Sequence, residues 1–139
     1  MVFVLELLCQ PCYKSAGVHL WKEIDRCEEV MEEAIGDRTL CITLHPGFES
    51  VCLNCHVLEV AALDLKTRAG KSYTTVRGDL ISLTRFLRSV AYRQFTRLLW
   101  SYIGSSRRYP LPCCAYNEIR KQFPSQNGHY RGFEDEENE

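Results

Sequence analysis

No apolar run in this 139-residue chain approaches the ~18–20 residues that cross a bilayer as a helix. Met1–Leu8 is apolar except for Glu6, but it has neither a basic leader nor a small-residue cleavage site. It reads as an edge segment or a remnant of something longer, not as a secretory signal. Net charge is nearly absent at −1. There is no His-Glu-x-x-His, no His-x-Glu paired with Pro-Cys-x-x-Cys and no Gly-rich phosphate loop. Zincin, zinc-deaminase and P-loop chemistries therefore lack their residues. Eight cysteines in 139 residues stay below the ~8–10% of disulfide scaffolds, and a reducing, cytoplasmic compartment is expected. A hydrophobic fraction of 45% and an aromatic fraction of 11% exclude wholesale disorder.

The eight cysteines sit where a metal would want them. Cys9 and Cys12 form a C-x-x-C pair in a Gln-Pro turn, and Cys27 and Cys41 follow singly. Cys52 and Cys55 form a second C-x-x-C, and Cys113 and Cys114 are adjacent after Leu111-Pro112. Two intervening residues let one turn aim both thiolates at one ion, and zinc suits such ligands. Structural zinc sites are closed by four Cys or His ligands. Eight cysteines with His45 suffice for one ion, for two, or for a cluster sharing a thiolate. The gap from Cys55 to Cys113 implies that the metal ties the two ends of the chain together. Cys9, Cys12 and Cys41 read as ligands, while Cys27, on an apolar helical stripe, reads either as a ligand or as a buried thiol. One of Cys52 and Cys55 reads as a ligand, as does at least one of Cys113 and Cys114. His19 and His56 read as core or surface side chains and His129 as solvent-facing. A closed thiolate site is structural, so no catalytic residue is assigned; a Cys113 nucleophile would lack a positioned His–Asp partner.

The patterning predicts a mainly α (small α+β) single domain with three to four helices, short strands and irregular cysteine-bearing loops. Leu20, Ile24, Cys27, Met31, Ala34 and Ile35 recur at helical spacing, and Gly36 follows as a C-cap. Thr39–Thr43 is β-leaning, His45-Pro46-Gly47 turns the chain, Val51 to about Lys66 reads as one helix and Ser72–Val76 as extended. Thr84 to about Ile103 carries the clearest apolar stripe, closed by Gly104, and a last helix runs from about Cys113 to Phe123. From Ser125 the chain is polar.

Charge is uneven along the chain. Residues 84–124 carry eight basic groups against Glu118 alone, whereas residues 1–83 carry eight basic and twelve acidic groups. The basic stretch lacks interleaved exposed aromatics, so nucleic-acid binding is a weak reading. Its arginines, Arg88 among them, are expected to form a solvated helix face that pairs with the acidic first helix.

Read as blocks, the chain resembles a known family. The blocks are Cys41-Ile42-Thr43, His45-Pro46-Gly47-Phe48, Val51-Cys52-Leu53-Asn54, Ala91-Tyr92-Arg93-Gln94, Leu111-Pro112-Cys113-Cys114, Ile119 to Pro124 and Gly128 to Phe133. In order and spacing they are similar to the cytoplasmic C-terminal (ballast) domain of the P2X purinoceptor, subtype seven, and its stand-alone relatives. The resemblance covers residues 9–133, leaving 1–8 as a variable apolar segment and 134–139 as an acidic disordered tail. It implies a non-enzymatic cytoplasmic module for protein interaction or regulation. It also implies a dinuclear zinc site with ligands at Cys9, Cys12, Cys27, Cys41 and Cys114, and with Cys52 in place of a missing thiolate. Arg26-Cys27 stands where the family has two cysteines, so Asp25, Cys52, Cys55 or Cys113 compensates, or one ion binds. The resemblance further implies a guanine-nucleotide site at Arg88 and Tyr92. Ser89, Tyr116 and Ser125 replace the family's histidine, arginine and lysine there, which removes cationic contacts to phosphate.

Overall fold

A computed structural model describes residues 21–67, 70–80, 83–101, 112–125, 128 and 130. Five α-helices are present among them: α1 (Trp21–Ile35), α2 (Cys55–Ala61), α3 (Tyr73–Leu80), α4 (Leu83–Trp100) and α5 (Cys113–Gln122). Single turns of 3-10 helix at Ile42–Leu44 and Ala62–Asp64, and a π-helical turn at Glu49–Leu53, join them.

Helix α4 is the axis of the domain. Phe86 to Ala91 are buried without interruption, as are Gln94, Phe95 and Leu99. A helix buried around most of its circumference needs neighbours on several sides. α4 has them in α1, α2, α5 and the π turn. Phe48 meets Phe95 edge to face, ring centroids 5.9 Å apart. From α1 the core receives Val30 and Met31, from α5 Ala115 and Ile119, with Phe123 just beyond.

Helix α1 stops at Gly36, whose φ of +75° is the left-handed C-cap conformation glycine adopts without strain. Ala34 and Ile35, placed on its buried stripe by spacing, are exposed instead. The acidic face of α1 is matched by Arg38, which lies 3.4 Å from Glu28 and 3.4 Å from Glu32.

The two β-leaning stretches are helical, so the short strands expected there are not found among the described residues. Over Thr39–Thr43, Asp37 accepts hydrogen bonds from both the backbone and the hydroxyl of Thr39. Leu44 N–H then bonds to Cys41 and His45 N–H to Ile42. Backbone groups satisfied so locally have no use for a strand partner. Ser72 makes one isolated antiparallel bridge to Lys66, after which the chain enters α3. Tyr73, 3% exposed, anchors that helix in the core and donates its N–H to Leu65. Burial of one large ring outweighs the weak strand preference of Thr74, Thr75 and Val76.

The single helix expected from Val51 to Lys66 is broken at Asn54. Its side-chain oxygen accepts from His56 N–H at 2.9 Å and from Val57 N–H at 3.3 Å, capping α2 and ending the π turn. Asn54→Ala is expected to cost about 1 kcal/mol of stability, read as a lower denaturant midpoint at unchanged slope.

Candidate functional site

Six of the eight cysteines are described, and they fall into three environments. Cys27 on α1 and Cys114 on α5 are half-buried and pack against the edge of the core. Cys113 opens α5 and is half-buried. Cys41 is the residue before the Ile42–Leu44 turn, with its Sγ 3.1 Å from Thr43 Oγ1. That turn packs against both α1 and α5. The three elements that bear Cys27, Cys41 and the Cys113–Cys114 pair therefore meet around one short turn. Cys113 and Cys114 occupy the first positions of α5.

Cys52 and Cys55 differ from these and from each other. Cys55 is exposed at the start of α2. Cys52 is completely buried, and desolvation pushes its thiol up to about 12. Burial of the neutral thiol thus favours the fold fully below the ordinary thiol value of 9.0, and this contribution is lost as pH rises toward about 12. Iodoacetamide is expected to label Cys55 rapidly and Cys52 only on unfolding, with mass spectrometry of the alkylated peptides as the measurement.

His45 Nδ1 accepts the Gly47 N–H at 2.9 Å, and burial lowers the imidazole's pKa. The ring is thereby held neutral with its proton on Nε2. Asp25 is exposed on α1. Cys9 and Cys12 lie outside the described residues. Among the described residues no three Cys, His, Asp or Glu groups are gathered closely enough to hold an ion by themselves. The donor set still suits zinc. The four half-buried thiols, Cys27, Cys41, Cys113 and Cys114, are of the soft ligand type that zinc takes.

A second cluster forms where α4, α5 and the segment beyond α5 meet. Arg88, read from the sequence as part of a solvated face, is 4% exposed. Its Nη1 donates to the Phe123 carbonyl at 3.1 Å, and its guanidinium lies 4.8 Å from the centre of the Tyr130 ring. Arg120 lies 4.5 Å from the same ring and 4.9 Å from that of Tyr116, and its Nε donates to Tyr92 Oη at 3.3 Å. Tyr92 and Tyr116 pack edge to face at 5.2 Å. Desolvation lowers the pKa of Arg88 and raises that of Tyr92. Among the described residues no carboxylate comes within ion-pairing distance of Arg88 or Arg120. Arg97, by contrast, reaches Asp64 at 3.3 Å. Arg88 is thus buried rather than solvated, and Arg97 pairs with Asp64 rather than with α1.

Both clusters lie inside one family match: the family described as P2X purinoreceptor 7 intracellular domain matches residues 8–134. The chain belongs to that family. No curated protein and no solved structure matches it. The P2X purinoreceptor 7 intracellular-domain match spans Cys9 and Cys12 along with Cys27, Cys41 and Cys114. No described helix is long and apolar enough to cross a membrane.

Arg120 and Tyr130 escape a reading of the sequence alone. Tyr116 and Arg120 stand one helical turn apart, as do Arg88 and Tyr92, and this i, i+4 spacing is the only trace of the pairing. That the two pairs face each other, with Tyr130 against both cations, depends on how α5 crosses α4.

Proposed function

We propose that the chain is a non-enzymatic, zinc-stabilised cytoplasmic module that works through protein contacts or regulation. The observation supporting this most strongly is the meeting of α1, the Ile42–Leu44 turn and α5, which carries Cys27, Cys41 and Cys114 to adjoining elements. These three, with Cys9 and Cys12, would hold the metal. Cys52 is the least suited member of the set, because its thiol is enclosed by the core and resists ionisation. When bound, zinc supplies a cross-link between segments that are distant in sequence, and its binding free energy becomes folding free energy. Protein contact is supported by Val57, Val60 and Leu63, which are 37%, 68% and 70% exposed and recur every third residue along α2 and the turn after it. Titrating metal-free, reduced protein with zinc against a chromophoric chelator tests the reading. Tight, stoichiometric uptake is expected, and the absence of competition with the chelator would contradict it.

A second reading, guanine-nucleotide binding at Arg88 and Tyr92, is favoured by one observation. Arg88 and Arg120 share an aromatic cluster and have no carboxylate partner among the described residues, leaving cationic donors for an anion. Calorimetric titration with a guanosine diphosphate, repeated with Arg120→Ala, tests it. Heat that is unchanged by the substitution would rule out this location.

A further inference from the structure

We propose that Tyr130 is a phosphoacceptor whose phosphate is held in cis by Arg88 and Arg120. The inference stands apart from the zinc reading and uses none of the cysteines.

Accessibility singles out Tyr130. Of the four tyrosines whose side chains are described, Tyr73 is buried at 3% exposure, Tyr92 and Tyr116 are half-buried against each other, and Tyr130 is the most open at 36%. The Tyr92 hydroxyl already accepts from Arg120. The Tyr130 hydroxyl accepts only the Ser125 N–H, at 3.4 Å, among the described residues. A phosphoryl oxygen at the same place could keep that donor.

Geometry supplies the acceptor site's complement. The Tyr130 ring lies within 4.8 Å of both guanidinium carbons, Arg88 from α4 and Arg120 from α5. Each guanidinium presents five N–H donors. Among the described residues, Arg88 uses its fork on the Phe123 carbonyl and Arg120 on the Tyr92 hydroxyl. Among the described residues neither has a carboxylate to displace. Arg88 is a cation with its solvation stripped by burial, so an adjacent dianion would relieve an existing cost rather than create one.

In the modification step, the Tyr130 phenol oxygen attacks the γ-phosphorus of a nucleoside triphosphate held by a tyrosine kinase. A new P–O bond forms, the bond to the nucleoside diphosphate breaks, and the phenol proton passes to the kinase's general base. The product adds about −1.5 to −2 charges and three strong acceptor oxygens to the ring. Charge-assisted bonds from Arg88 and Arg120 to those oxygens would fasten the segment after α5 to α4 and α5, with the unmodified ring already in position.

Two measurements on the full chain test this. The first treats the protein with a purified broad-specificity tyrosine kinase and ATP and maps the modified residue. Tyr130→Phe is expected to lower incorporation several-fold, and incorporation unchanged by that substitution would overturn the acceptor assignment. The second follows phosphorus NMR of protein carrying genetically encoded phosphotyrosine at 130. Its second ionisation is expected about one unit below the usual ~6, returning toward it in Arg120→Ala. Arg120 is half-buried on the edge of α5, so this variant should fold, and far-ultraviolet circular dichroism checks that it does. A phosphate that titrates near its usual value in the presence of both arginines would overturn the proposal.

Discussion

Removing the proposed zinc is expected to abolish the cooperative thermal transition of this domain, not merely to lower its midpoint. Structural zinc in small domains binds with an apparent ~10–16 kcal/mol, whereas a whole domain is stable by only ~5–15 kcal/mol. The described core does not compensate, because it is organised around one helix. Phe86, Val90, Ala91, Phe95 and Leu99 of α4 form its centre, and the other helices each contribute a few side chains to that axis. The Ile42–Leu44 turn adds Ile42 alone, yet α1 and α5 both touch it. Thiolate ligation from Cys41 on one side and from Cys27 and Cys114 on the other would fasten that junction. Circular dichroism melts with and without a strong zinc chelator, under reducing conditions, measure the effect. A melting curve unaltered by chelation would mean that the core suffices alone.

The second large effect is expected from Phe95→Ala, at about 3–5 kcal/mol. Phe95 is 1% exposed and supplies the ring against which Phe48 packs. Truncation would leave a cavity between α4 and the turn that leads into the π-helical segment. That region cannot collapse readily, because Phe48 is tied to His45 by a backbone hydrogen bond at 3.0 Å and Val51 to Gly47 at 2.9 Å. Urea unfolding of the zinc-loaded protein reads this directly as a lower midpoint at constant slope. A loss below about 1 kcal/mol would show that the aromatic pair is peripheral rather than central.

The helices that pack by an uninterrupted apolar stripe were legible from their sequence. α4 runs Leu83–Trp100 where Thr84 to Ile103 is expected, α5 runs Cys113–Gln122, and α1 ends at Gly36. In each, residues spaced three and four apart carry the signal, and that information is local. Where the outcome depended on a single side chain or on a distant partner, the pattern misled. One Asn54 cap divides the expected Val51–Lys66 helix, and the Asp37–Thr39 bonds turn a β-leaning stretch into a 3-10 turn. Arg88 looks like a surface arginine by spacing, and only the approach of α5, through Phe123, explains its burial.

The thiols divide in the same way. Spacing put forward the Cys52–Cys55 and Cys113–Cys114 pairs without choosing between their members, because spacing carries no information on depth. Cys52 belongs to the core and Cys55 to the surface, although they share one C-x-x-C. That Cys27, Cys41 and Cys114 stand on adjoining elements is a product of how α1, the turn and α5 pack, which no local pattern contains. Likewise, Arg120 and Tyr130 acquire significance only once α5 lies across α4.

The most direct measurement is zinc content, by elemental mass spectrometry, of the wild-type chain and of single serine replacements. Cys27→Ser, Cys41→Ser and Cys114→Ser are each expected to lose bound zinc, as are Cys9→Ser and Cys12→Ser. Cys55→Ser, with its exposed thiol at the head of α2, should keep the wild-type amount. Retention of full zinc in Cys27→Ser, Cys41→Ser and Cys114→Ser alike would contradict a metal held at the junction of α1, the Ile42–Leu44 turn and α5.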